Sequence, residues 1–314
     1  MILNVTLRIG LCAIPLALIV ISVLVCILIL LLMLSRMRQN LTKVSTFLIV
    51  NTYLSMLFTN MMLTIIFVFV LYGIIEPSVL QKSSFCTIRA YLMYSAFCVF
   101  YYSFLLQAFY RLFRVVFHKY KLFQSRRFFI AAIAVQWLLS FALSLPNFLL
   151  NDYTRLPYRY RCWIAIENVR GLSIAFLVVY IIPMSMIVVI NAKIIRFVRF
   201  NSNIHQRRKK SNARDAIVMK RILMILSVNI GIGIPSAVLL LIYIFTSFLP
   251  EYAYEIQDFS LSIGFCTATI CFTWVTPEIR KMLKENFLQI YPLESAINHR
   301  TVEAQNRTET VDES

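Results

Sequence analysis

Few residues of this 314-residue chain have the type and placement to do chemistry. Its three histidines, His118, His205 and His299, sit in polar connections rather than beside a cysteine or carboxylate pair. No spacing of His, Cys, Asp and Glu resembles a metal site, a nucleophile with its base, or a phosphate-cradling loop. Enzymatic activity, a metal and a cofactor are therefore not expected. What remains is a pair of cysteines, Cys86 and Cys162, and isolated charges at the edges of apolar runs: Arg111 and Asp258. Five further cysteines (Cys12, Cys26, Cys98, Cys266 and Cys271) fall inside apolar runs.

Those runs are the elements that must position everything else. Hydrophobic residues make up 60% of the chain and charged ones 14%. A soluble domain cannot hide so much apolar surface, whereas a bilayer accommodates it in segments of about 20 residues. Seven segments qualify: 9–34, 44–72, 85–117, 128–149, 172–200, 216–248 and 254–275. Inside hydrocarbon the backbone must satisfy its own hydrogen bonds, and none of the segments alternates with a two-residue period, so helices are expected. The fold class is all-α: a seven-transmembrane helix bundle, followed by a short amphipathic eighth helix. The first run is too long for a cleaved signal and is read as an anchor.

The formal charge of +17 points first to nucleic acid, but the basic residues lie in loops without stacking aromatics or a recognition helix. The lipid bilayer is the expected partner, and nucleic acid is not. Lys and Arg concentrate in alternate loops: Arg36, Arg38 and Lys43; Arg114 to Arg127; Arg196 to Arg221; and Arg280 to Lys284. The positive-inside rule makes that set cytoplasmic. The opposite loops hold fewer basic residues, offset by acids such as Glu76, Asp152, Glu167 and Glu255. The expected layout is an extracellular N-terminus (1–8), the bundle (9–275), a membrane-surface helix (276–288) and a disordered cytoplasmic tail (289–314), in the plasma membrane. Cys86 and Cys162 then share the outer, oxidising face. They either form a bridge pinning the second outer loop over the bundle mouth or remain free thiols. The bridge is favoured because no other outer cysteine competes.

Arg111 follows Cys86 by 25 residues, at the cytoplasmic end of the third span. Trp137 and Pro146 mark the fourth span, Cys162-Trp163 the second outer loop, Pro183 the fifth span and Pro235 the sixth, and Pro277-Glu278-Ile279-Arg280-Lys281 opens the segment after the seventh. In order and spacing this set resembles the rhodopsin-like (class A) G-protein-coupled receptors over nearly the whole chain, as a divergent member. The resemblance implies an extracellular ligand, a heterotrimeric G protein as partner, and coupling through a cytoplasmic cleft near Tyr110, Arg111 and Asn191. Asp215, 20 residues before Pro235, stands where many such receptors place an acid that pairs with the third-helix arginine. A resting Arg111–Asp215 latch is expected on that basis, the alternative being a solvated acid in a basic loop.

The departures are specific. The motif at Arg111 is Tyr110-Arg111-Leu112, without its acid. The second-span acid that binds sodium is replaced by Ser55 or Met56, the sixth-span tryptophan by Gly233, and the fifth-span tyrosine by Asn191. No lysine stands in the seventh span for a retinal Schiff base. Met93, seven residues past Cys86, occupies the position of the amine-binding aspartate. An aromatic, largely apolar pocket is expected from Met93, Tyr94, Phe97 and Trp163, with Asp258 and Ser262 at the mouth of the seventh span; each has packing or surface exposure as its alternative. Two other functions stay open: a receptor-like protein that does not signal (scaffold or dimer partner), and a seven-helix transporter. The transporter reading lacks the internal repeats and paired intramembrane charges it requires.

Overall fold

A computed structural model describes residues 5–40, 44–75, 85–117, 120–156, 161–202, 209–248, 250 and 252–290. Asn4, Arg207-Arg208 and the tail from 291 lie outside the described residues, as do the side chains of Asp215 and Asn229. The chain forms α1 (Val5–Asn40), α2 (Val44–Ile75), α3 (Cys86–Val115), α4 (Arg126–Leu149), a hairpin of β1 (Tyr153–Arg155) and β2 (Cys162–Ile164), α5 (Val169–Phe176), α6 (Ile182–Ser202), α7 (Lys209–Thr246), α8 (Ala253–Val275) and α9 (Pro277–Ile290). A π-turn, Leu177–Ile181, joins α5 to α6, so these form one span. Among the described residues, six helices are long and apolar enough to cross a bilayer, and α7 carries a shorter apolar run over Ile230–Thr246. The protein is a multi-pass membrane protein built as a seven-helix bundle.

Lipid tails are as apolar as leucine, so burial alone does not hold such helices together. Packing and polar contacts between helices do. The most apolar window of α3 is 78% buried, against 22% for α4, which places α3 at the centre of the bundle. Leu24, Leu31, Val135 and Leu138 are exposed, as lipid-facing residues should be.

A ladder of neutral polar residues ties the helices together. Asn51 on α2 donates to Gln136 Oε1 at 3.0 Å and accepts from Trp137 Nε1 at 2.9 Å, both on α4. Gln136 Nε2 in turn donates to the Val99 carbonyl of α3 at 2.9 Å. Ser55 donates to Ser103 at 3.0 Å, and Ser95 pairs with Ser144 at 2.8 Å. Ser22 of α1 accepts from Asn60 and pairs with Thr269 of α8, both at 2.8 Å. Several of these hydroxyls also bond a carbonyl of their own helix, among them Ser55 to Thr52 and Ser103 to Phe100.

The sequence pattern misses two features. The connection from α4 to α5 is not a plain loop but an antiparallel hairpin, with Thr154 opposite Trp163 and Arg155 opposite Cys162. The fifth span also contains the π-turn. Pro183 has no N–H for the carbonyl one turn earlier and its ring crowds that turn, so the wider turn just before it absorbs the mismatch.

Phe272–Ser314 forms a separate compact unit from Met1–Cys271. It holds the last turn of α8 and helix α9, with Glu278 in its first turn, where an acid complements the helix dipole. Ile279, Met282 and Leu283 recur at helical spacing opposite Arg280 and Lys281.

Candidate ligand cavity and helix ends

Cys86, the first residue of α3, is bonded to Cys162, the first of β2, with their Cα atoms 5.4 Å apart. This bond lays β2 across one end of the bundle. Leu156 N–H bonds to the Arg161 carbonyl at 3.0 Å and closes the hairpin, while Asn151 takes φ 54°, a left-handed turn that asparagine tolerates. Asp152, almost wholly buried, accepts from Asn168 at 2.8 Å and from Arg170 at 2.7 Å, and thereby fixes the start of α5. Tyr153 donates to the Ser144 carbonyl at 3.2 Å, and burial pushes its hydroxyl pKa up.

A second tie joins the hairpin to α8. Arg161 Nη1 reaches both carboxylate oxygens of Asp258, at 2.5 and 2.6 Å. The Arg161 side chain is 5% exposed and that of Asp258 20%. The guanidinium also lies 5.2 Å from the Tyr254 ring and 5.8 Å from that of Trp163. Tyr254 donates to Glu167 at 3.1 Å and accepts from Ile166 N–H at the same distance. The second loop is thus held at α3 by a covalent bond and at α8 by an ion pair.

Beneath this roof lies a cavity with about 540 Å³ of empty space, its mouth included. Its walls come from α3 (Tyr94, Phe97, Tyr101), α5 and the π-turn (Phe176, Tyr180), α7 (Gly233, Ser236) and α8 (Gln257, Phe265), with Trp163 of β2 above. Every lining side chain is uncharged. The rings interlock: Tyr94 to Trp163 at 5.3 Å, Phe97 stacked on Phe265 at 5.6 Å, and Tyr101 edge-on to Tyr180 at 5.5 Å.

Of the six pocket residues expected from sequence, Tyr94, Phe97 and Trp163 line the cavity. Met93 is fully buried and is not in its wall. Ser262 is buried too, and its hydroxyl donates to the Asp258 carbonyl of its own helix at 2.8 Å. Asp258 stands beside the cavity wall in sequence but is engaged by Arg161.

Tyr180 and Gly233 were not expected to meet. Tyr180 donates to the Ile230 carbonyl at 3.1 Å, and its ring occupies the place a side chain at 233 would take. A Cβ on Gly233 would come within 2.5 Å of the Tyr180 ring. The bulk missing at 233 is therefore supplied from the neighbouring span.

At the opposite end of α3, Arg111 is half-buried, and the Tyr110 ring meets Phe129 edge-on at 5.1 Å. Asn191 on α6 is buried, and its amide nitrogen has no hydrogen-bond partner among the described residues. Asp215 lies on α7. The turn between α3 and α4 is rigidified by Phe113, Phe123 and Phe128, whose ring centroids are 5.1 to 6.2 Å apart, and Ser125 caps α4 by accepting from Phe128 N–H at 3.3 Å.

No curated protein matches this chain. The family model described as 7 transmembrane receptor (rhodopsin family) matches residues 26–276, from within α1 to the end of α8. A match over that much of the chain, on a seven-helix bundle with a disulfide from α3 to the second loop, makes this protein a member of the rhodopsin family of seven-transmembrane receptors.

Proposed function

We propose that the protein is a plasma-membrane receptor, not an enzyme, that takes an extracellular ligand in the cavity beneath β2 and couples to a heterotrimeric G protein at the other end of the bundle. The cavity carries this reading: it is lined by aromatic side chains, roofed by a doubly anchored loop, and walled by the helices that must move. The N-terminus and the Cys86–Cys162 bond face outside, and the C-terminus faces the cytoplasm, in accord with the distribution of Lys and Arg. Residues 1–8 precede the bundle outside; 276–288 lie on the inner membrane surface and 289–314 form a tail.

Ligand binding favours an open arrangement of α3, α6 and α7 over a closed one, a shift that requires a few kcal/mol of differential affinity. The G protein's C-terminal helix enters the resulting cleft beside Tyr110, Arg111 and Asn191 in helix-in-groove fashion. Arg111 and Asp215 form the resting latch. Gly233 in place of a tryptophan, and the absence of an acid before Arg111, favour a second reading in which the bundle binds ligand or partner receptor without signalling.

The test is ligand-independent activation across a panel of G-protein biosensors, with Arg111→Ala and Asp215→Ala alongside the native chain. Coupling predicts basal signal for at least one G protein, lost in Arg111→Ala and raised in Asp215→Ala. Silence across the panel with normal surface expression favours the non-signalling reading.

A further inference from the structure

We infer that the cavity selects a neutral aromatic small molecule that carries a hydrogen-bond acceptor, and rejects amines and carboxylates of the same shape. The inference rests on the reading of this cavity as the ligand site and adds the ligand's chemical class.

Three observations carry it. First, among the described residues the walls hold no carboxylate, ammonium, guanidinium or imidazole, and seven of the lining side chains are aromatic: Tyr94, Phe97, Tyr101, Trp163, Phe176, Tyr180 and Phe265. An ion entering there would lose its hydration with no opposite charge to meet it, which costs several kcal/mol. Second, the acid closest in sequence to the wall, Asp258, is held on both oxygens by Arg161. An ammonium could recruit it only by breaking a largely buried ion pair. Third, the cavity has polar groups left to satisfy. Trp163 is 4% exposed, and its indole N–H has no acceptor among the described residues. A buried donor in that state has lost its water without replacement, and an acceptor on the ligand that reaches it offsets that loss. Gln257 Nε2 donates to Ser236 Oγ at 3.1 Å, across α8 and α7, which leaves the Gln257 carbonyl and the Ser236 hydroxyl proton for a second polar group. Aromatic faces with one unmet donor and one amide–hydroxyl pair suit a phenyl-sized ring bearing a carbonyl, ether or hydroxyl oxygen.

The experiment uses the full-length receptor in detergent and three photoreactive probes that differ in one group: 4-(trifluoromethyldiazirinyl)benzyl alcohol, the corresponding benzylamine and the corresponding benzoate. Mass spectrometry maps the labelled residues. The alcohol is expected to label Tyr94, Tyr101, Trp163 or Tyr180 about tenfold or more above either charged probe, the ratio that 1.4 kcal/mol of discrimination produces. Trp163→Phe, which keeps a ring and removes the donor, should reduce that labelling roughly threefold, the effect of one neutral hydrogen bond. Ser236→Ala provides a second arm if Trp163→Phe lowers the thermal unfolding temperature. Equal or stronger cavity labelling by the amine or the benzoate overturns the ligand class while leaving the site intact. Labelling confined to lipid-facing residues by all three probes, on a receptor that still unfolds cooperatively, overturns the site itself.

Discussion

Replacing Asp258 with Asn should destabilise the protein by an amount that separates a structural tie from a free acid at the helix mouth. The change keeps shape and removes the charge opposite Arg161. The Arg161 side chain is 5% exposed, so its guanidinium would be left nearly buried with no carboxylate. Breaking one side of a buried pair costs about 3–5 kcal/mol. Asp258, at 20% exposure, is partly hydrated, which places the expectation at the lower end, about 3 kcal/mol. At roughly 2–4 °C per kcal/mol, the unfolding temperature should fall by about 6–12 °C. Thermal unfolding of the purified receptor, followed by a thiol-reactive dye that reports exposure of the buried cysteines, would measure it. Removing both partners, Arg161→Gln with Asp258→Asn, should cost less than Asp258→Asn alone, because no charge is stranded. A shift under 1 °C for Asp258→Asn, or strict additivity in the double variant, refutes the tie.

Two further changes test other contacts. Gly233→Ala should lower the unfolding temperature through a clash of about 1–3 kcal/mol with the Tyr180 ring, and Tyr180→Leu in the same chain should relieve part of it; a double-variant cycle with no coupling would place the ring elsewhere. Asn51→Ala removes the bonds to Gln136 and Trp137, and in a membrane bundle should cost about 1–2 kcal/mol, read as a smaller fall in the same assay; an unaltered temperature would mean those bonds are replaced or absent.

Seven apolar runs and the charge asymmetry of their loops were enough to read the bundle, because the bilayer imposes span length and helix on any chain that crosses it. Tyr94 and Phe97 were expected in the pocket, and both line the cavity. What sequence hid were partners distant along the chain. Arg161 and Asp258 are 97 residues apart, and each alone looked like an ordinary charge at the rim. Asn51, Gln136 and Trp137 looked like isolated polar residues in apolar runs, since hydrophobic periodicity carries no information about which polar group meets which. Met93 shares α3 with the cavity-lining rings, but the wall omits it, because burial of a face does not say which part of it is left empty. Gly233 read as a missing side chain, whereas Tyr180, within the π-turn, fills its place. The β1–β2 hairpin looked like loop because three-residue strands are too short to show alternation.

The receptor function turns on which ends of the bundle face which compartment. Different epitope tags at the two termini, stained in intact and then permeabilised cells, decide this directly. The N-terminal tag is predicted to stain in intact cells and the C-terminal tag only after permeabilisation, with the ligand cavity outside and Arg111 within. Both tags accessible from the same side, or the reverse order, would contradict the receptor reading.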